Sequence, residues 1–126
     1  MEKEWKKYLY RKKEEYMSMG HVLCPFFHGE KICYSSPGFR HILRKEGKLR
    51  PIEEQQRRFE LLPLSRIVLE KSTDYIFYYK NTKDMSVTHF WTFEQVIENK
   101  KVRVVVRQVN SGPKHFYSNF DFDGEI

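Results

Sequence analysis

At 126 residues, with 40% hydrophobic, 32% charged and 16% aromatic residues, the chain is long enough for one buried core and too rich in rings for a disordered segment. Its formal charge of +6 favours association with a polyanion, nucleic acid above all, over a membrane. Two cysteines make no secreted disulfide framework, and no stretch nears the roughly 18 apolar residues of a membrane helix, so a cytoplasmic domain is expected.

The elements follow in chain order. Trp5, Tyr8 and Leu9 share one face of a helix over 2–17, whose Lys and Glu are the opposite of an apolar leader. Gly20 offers a stop. Residues 21–37 carry Pro25, Gly29 and Pro37 without a helical period, and read as a loop or short hairpin with a turn at Pro37-Gly38. Phe39, Ile42 and Leu43 (i, i+3, i+4) predict a short helix over 39–45, ended by Gly47. A second helix is expected over 53–62, led by Glu53 and Glu54 and interrupted by Pro63, resuming over 64–70.

Past Lys71 the period becomes strand-like: 75–79, 87–93, 101–109 and 115–120 are expected strands, with turns at 81–84 and 110–113. The expected fold is α+β, one domain over 1–126, with N-terminal helices packed on a four-stranded antiparallel sheet. Residues 1–37 supply a helix and a Cys- and Pro-containing loop, and 121–126 an acidic tail expected to fray.

Two basic constellations stand out. From Arg40 to Arg50, five cations (Arg40, Arg44, Lys45, Lys48, Arg50) face one acid, Glu46. Arg40, Arg44 and Lys48 recur every fourth residue, so a continued helix would show a basic ridge beside His41, with Arg57 and Arg58 extending the patch. Between Asn99 and Ser118 there are five cations and no acid. Alternation separates Val102, Val104 and Val106 from Arg103 and Arg107. Pairing those valines with Phe116 and Phe120 sets the arginines beside His115, Tyr117 and Asn119, whereas a one-residue slip brings Ser118 to them. Two arginines and a histidine on one sheet face suit a phosphate, which a guanidinium grips bidentately.

Four soft ligands, His21, Cys24, His28 and Cys33, lie within thirteen residues, but their spacing matches no common zinc site. Buried cysteines beside surface histidines are the favoured account, and neither metal nor cofactor is assigned. His89, mid-strand among aromatics, is expected to pack or bond across the sheet.

The succession of a His-bearing basic helix, the strand Val102-Arg-Val-Val-Val-Arg107-Gln and the segment Gly112-Pro-Lys-His-Phe-Tyr-Ser118 resembles the barnase–EndoU–colicin–RelE-like (BECR) nucleases, in particular their phage-associated and colicin D-like branches. The resemblance covers roughly 38–120, and the Cys-bearing segment 21–37 departs from it. It implies a small metal-independent endoribonuclease, a toxin or phage-encoded effector, that uses the RNA's own 2′-hydroxyl to leave a 2′,3′-cyclic phosphate. It places catalysis on His41, Arg107, Lys114, His115 and Ser118, with His41 as general acid or base. RNA contacts are expected from Arg40, Arg44, Lys45, Arg57, Arg58, Arg103 and Tyr117. The implied partners are RNA (tRNA or rRNA) and an acidic immunity or antitoxin protein. Two rivals use the same surface: a non-catalytic RNA- or DNA-binding module, and a protein–protein module whose charge is incidental.

Overall fold

The chain opens, in the computed structural model, which describes residues 2–123, with helix α1, Glu2–Ser18. Glu2 and Glu4 occupy its first turn, where unpaired N–H groups favour carboxylates, and Tyr16 is fully buried. Gly20, at φ +67°, lets the chain turn into strand β1, His21–Leu23. A 3₁₀ turn over Pro25–Phe27 leads to β2, Lys31–Cys33, which pairs antiparallel with β1. The short hairpin anticipated over 21–37 is therefore present.

Helix α2 runs over Ser36–Leu43. Pro37-Gly38 begins this helix instead of forming a turn, since proline's fixed φ suits the first helical residues. Gly38 has a second reason to be glycine. A Cβ there would lie under 3.0 Å from the Phe116 carbonyl oxygen and the Tyr16 hydroxyl, so α2 passes closer to the sheet than any side chain permits.

The expected continuation of α2 through Lys45 does not occur. Arg44–Lys45 (β3) folds back on Lys48–Leu49 (β4) through Glu46 and Gly47, both at positive φ, as a two-residue hairpin requires. The basic ridge of Arg40, Arg44 and Lys48 is thereby divided between a helix and a hairpin. Helix α3, Ile52–Lys71, runs continuously with Pro63 inside it, correcting the expected interruption. Phe59, Leu62, Val68 and Leu69, all buried, anchor it on both sides of the proline.

Strands β5 (Phe77–Lys83), β6 (Ser86–Ile97), β7 (Lys100–Val109) and β8 (Lys114–Asp123) form the expected antiparallel meander. The full sheet is larger and mixed. Its order is β1-β2-β8-β7-β6-β5, with β2 parallel to β8 through Ile32 and Cys33 against Lys114 and His115. The architecture is α+β, and the strictly four-stranded antiparallel sheet is corrected to six strands. Residues 121–123 of the expected tail lie in β8, and 124–126 lie outside the described residues.

One face of the sheet meets the helices. Val102, Val104, Val106, Phe93 and Phe116 are fully buried there with Phe59, Val68 and Leu69. Each such side chain contributes roughly 1.5–3 kcal/mol of apolar burial. The register between β7 and β8 resolves the two alternatives of the sequence by using both. Val106 faces Phe116, Val105 faces Ser118, and Tyr117 is the extra residue of a bulge between them. Before the bulge, Phe116 joins the valines and His115 faces Arg107. After it, Asn119 joins Val104 in the core and Phe120 moves beside Arg103.

Candidate nucleic-acid interface

The bulge and α2 together build a basic cleft. It is lined by Pro37, Arg40, His41, Arg44, Glu46, Gly47, Arg107 and Tyr117, and has a volume of about 290 Å³. Tyr117, displaced from the ladder by the bulge, presents its ring to His41 from α2. The two rings stack at 4.2 Å between centroids and 24° between planes. The Arg107 guanidinium sits 5.5 Å from the centre of the same tyrosine ring, a cation–π arrangement that leaves its charge beside the cleft. Among the described residues, no hydrogen-bond partner meets the buried Arg107 Nε, a state that costs about 1–3 kcal/mol.

His41 is held in a particular state. Arg50 Nη2 donates to its Nε2 at 3.1 Å, and Arg50 Nε donates to its backbone carbonyl at 3.0 Å. Because arginine only donates, His41 Nε2 is an acceptor and the ring proton belongs on Nδ1. Burial, followed by the charges of Arg50, Arg58 and Lys45, pushes the imidazole pKa down to about 4. The ring is therefore neutral near pH 7, with its lone pair occupied. That geometry suits a hydrogen-bond donor through Nδ1 better than the general acid or base expected of His41.

His115 is better placed to exchange a proton. It is the cross-strand partner of Arg107, and its Nδ1 shares a 2.6 Å hydrogen bond with Ser35 Oγ, which steers proton exchange to Nε2. Burial, then Arg107, lowers its pKa, so the neutral, proton-accepting form prevails at neutral pH.

The remaining expected residues divide. Arg40 and Arg44 line the cleft, and Lys45 is exposed on the adjoining hairpin, where its charge reaches His41. Lys114 and Ser118 are not brought to it. Lys114 is one residue out of phase with His115, so it turns to the helix-facing side of the sheet. There its Nζ pairs with Glu30 at 2.7 Å and lies 4.9 Å over the Phe27 ring. Ser118 is buried and its Oγ accepts from Arg58 Nη1 at 2.9 Å.

Arg58 is a structural hub instead of an exposed RNA contact. It also donates to the Asn119 carbonyl and to Glu54, whose Oε1 is shared with Arg50. Burial, then Arg50, lowers the Arg58 pKa from arginine's ordinary range, with Glu54 opposing. Arg57 pairs with Asp121 at 2.7 Å, and Arg103 with Glu94 at 2.7 Å. Arg57 and Asp121 lie 64 residues apart, which no local pattern displays, whereas Arg103 and Glu94 face each other across the β6–β7 hairpin. Ser35, eighty residues from His115, was missed for want of a local pattern, and Arg50 was missed as well. Arg50 counted only as one of a basic run, while its spacing of four from Glu54 was the available signal.

Outside the cleft, His89 bonds across to Tyr78, Nδ1 to hydroxyl at 2.6 Å, and stacks near Trp91. Cys24 is buried, with Sγ directed at the Ser72 carbonyl, while His21 is exposed. Among the described residues, no three His, Cys, Asp or Glu side chains converge as metal ligands, and no helix is long and apolar enough to cross a membrane. Comparison with known proteins found no match among family models, curated proteins or solved structures.

Proposed function

We propose that the protein is a small endoribonuclease whose active site is the cleft between α2 and the β7–β8 bulge. The observation that carries this reading is the meeting of His41, Arg107 and Tyr117 around one basic cleft, with His115 directly across from Arg107. A phosphodiester bound among Arg40, Arg44 and Arg107 would find its negative charge matched by guanidinium groups. His115 Nε2 would take the proton of the ribose 2′-hydroxyl, which attacks the adjacent phosphorus. The P–O5′ bond breaks, the departing 5′-oxygen takes a proton from solvent, and a 2′,3′-cyclic phosphate is left. The Arg107 guanidinium would stabilise the charge gathering on the phosphate oxygens, to which His41 Nδ1–H would donate a hydrogen bond. This assignment exchanges the expected roles of His41 and His115, and leaves Lys114 and Ser118 as structural supports. The resemblance to the BECR nucleases supports the reaction class and a toxin-like or phage-borne role. An acidic neutralising protein would fit over the same cleft.

A non-catalytic RNA-binding module is the second reading, favoured by the neutral, Arg50-bound state of His41. Incubation of purified protein with tRNA and rRNA in EDTA separates the two. Discrete fragments with 2′,3′-cyclic ends are the expected result. RNA that shifts in a gel yet stays intact would assign the binding module.

A further inference from the structure

The sheet face opposite the helices carries a row of aromatic rings that leads out of the cleft. Strand parity puts Tyr79 of β5 against Phe90 of β6, and Phe90 against Arg107 of β7. The rings continue each other across the strands. Tyr79 and Phe90 lie 5.4 Å apart with planes 24° from parallel, and Phe90 meets Tyr117 edge-on at 5.5 Å. Tyr117 then stacks on His41. The outer end is open to solvent: Tyr79 is 57% exposed, on a strand whose seven residues are all exposed.

Such a face is costly to leave bare. Large apolar rings gathered on one exposed surface mark a binding site more often than chance placement. Charge names the occupant. Arg107 lies within the row, Arg40 and Arg44 stand at its inner end, and Lys83, in phase with Tyr79, lies on the same face of β5. Aromatic faces interleaved with cations are what an unpaired polynucleotide requires, bases stacking on rings while phosphates meet the cations. A duplex would keep its bases stacked on each other and out of reach.

The geometry points to a single-stranded RNA platform, in which the nucleotides flanking the cleaved phosphate lie across β6 and β5 and stack on Phe90 and Tyr79. It rests on the RNA-cleaving reading for the identity of the strand, and adds to it the substrate class: unpaired RNA several nucleotides long.

The test uses a 2′-O-methyl adenosine hexamer, which lacks the attacking hydroxyl and so reports binding alone, titrated by fluorescence anisotropy into the intact protein. Three proteins are compared: wild type, Tyr79→Ala and Tyr79→Phe. Tyr79 is exposed on an edge strand, so neither substitution disturbs the core. Loss of one stacking ring is expected to weaken the hexamer by about tenfold in Tyr79→Ala, with Tyr79→Phe within about twofold of wild type. Equal affinity for all three would overturn the platform while leaving RNA binding by the cleft in place. Failure of the wild-type protein to bind the hexamer at all would overturn both the platform and the reading it rests on.

Discussion

Acidification should reveal the neutral His41 as a conditional source of stability. In the folded protein its pKa is held near 4, against 6.5 for the free side chain. The folded state thus binds fewer protons than the unfolded chain between those values. The stabilising contribution is complete above pH 6.5 and is lost as the pH falls through the folded pKa near 4. At about 1.4 kcal/mol for each pH unit of displacement, it amounts to at most about 3 kcal/mol. The comparison is with His41→Gln, whose amide oxygen can still accept from Arg50 but carries no titrating group. His115, whose pKa burial and Arg107 also lower, is common to both proteins and cancels in the difference. Urea unfolding at pH 7 and at pH 4 supplies the measurement. The stability of wild type relative to His41→Gln should fall by about 1–3 kcal/mol between the two, since solvent screens a half-buried ring. An unchanged difference, or a His41 proton resonance titrating near 6.5, would refute the Arg50-bound neutral ring.

Lys114→Met should leave RNA cleavage within about twofold of wild type, measured by fragment release, because Lys114 pairs with Glu30 on the helix-facing side of the sheet. Gly38→Ala should destabilise the fold by about 1–3 kcal/mol in denaturant titration, since the added methyl group meets the Phe116 carbonyl and the Tyr16 hydroxyl. Ser118→Ala should cost about 1 kcal/mol in the same assay by removing an acceptor from the buried Arg58.

The parts of this fold legible in the sequence were those with a local period. Helix α1, the valine strand β7 and the β5–β8 meander follow from spacing alone. What escaped depends on partners distant in the chain. Pro37-Gly38 signals a turn locally, yet it starts a helix, and Gly38 is needed there because Phe116 and Tyr16, distant in the chain, leave room for nothing beyond a hydrogen. The turn after β5 falls at Asp84-Met85, at positive φ without a glycine, so the strand runs on past the expected break at 81. The parallel pairing of β2 with β8 joins segments about eighty residues apart, and three-residue strands carry no period to announce it. In the cleft, His41, Arg107 and Tyr117 were each visible as candidates. Alternation from Phe116 already sets His115 beside Arg107 and Lys114 on the other face, but the place of Ser118 was decided by the bulge at Tyr117, whose position alternation alone leaves open.

The central claim is that the cleft cuts RNA, and single-turnover cleavage of a 5′-labelled RNA in EDTA tests it most directly, with wild type, Arg107→Ala and His115→Ala run side by side. Wild type should yield fragments ending in a 2′,3′-cyclic phosphate. Each variant should be slower by roughly a hundredfold or more, the range for loss of an oxyanion clamp or a proton-transfer group. RNA left whole by the wild-type protein, or equal rates for all three, would contradict the account.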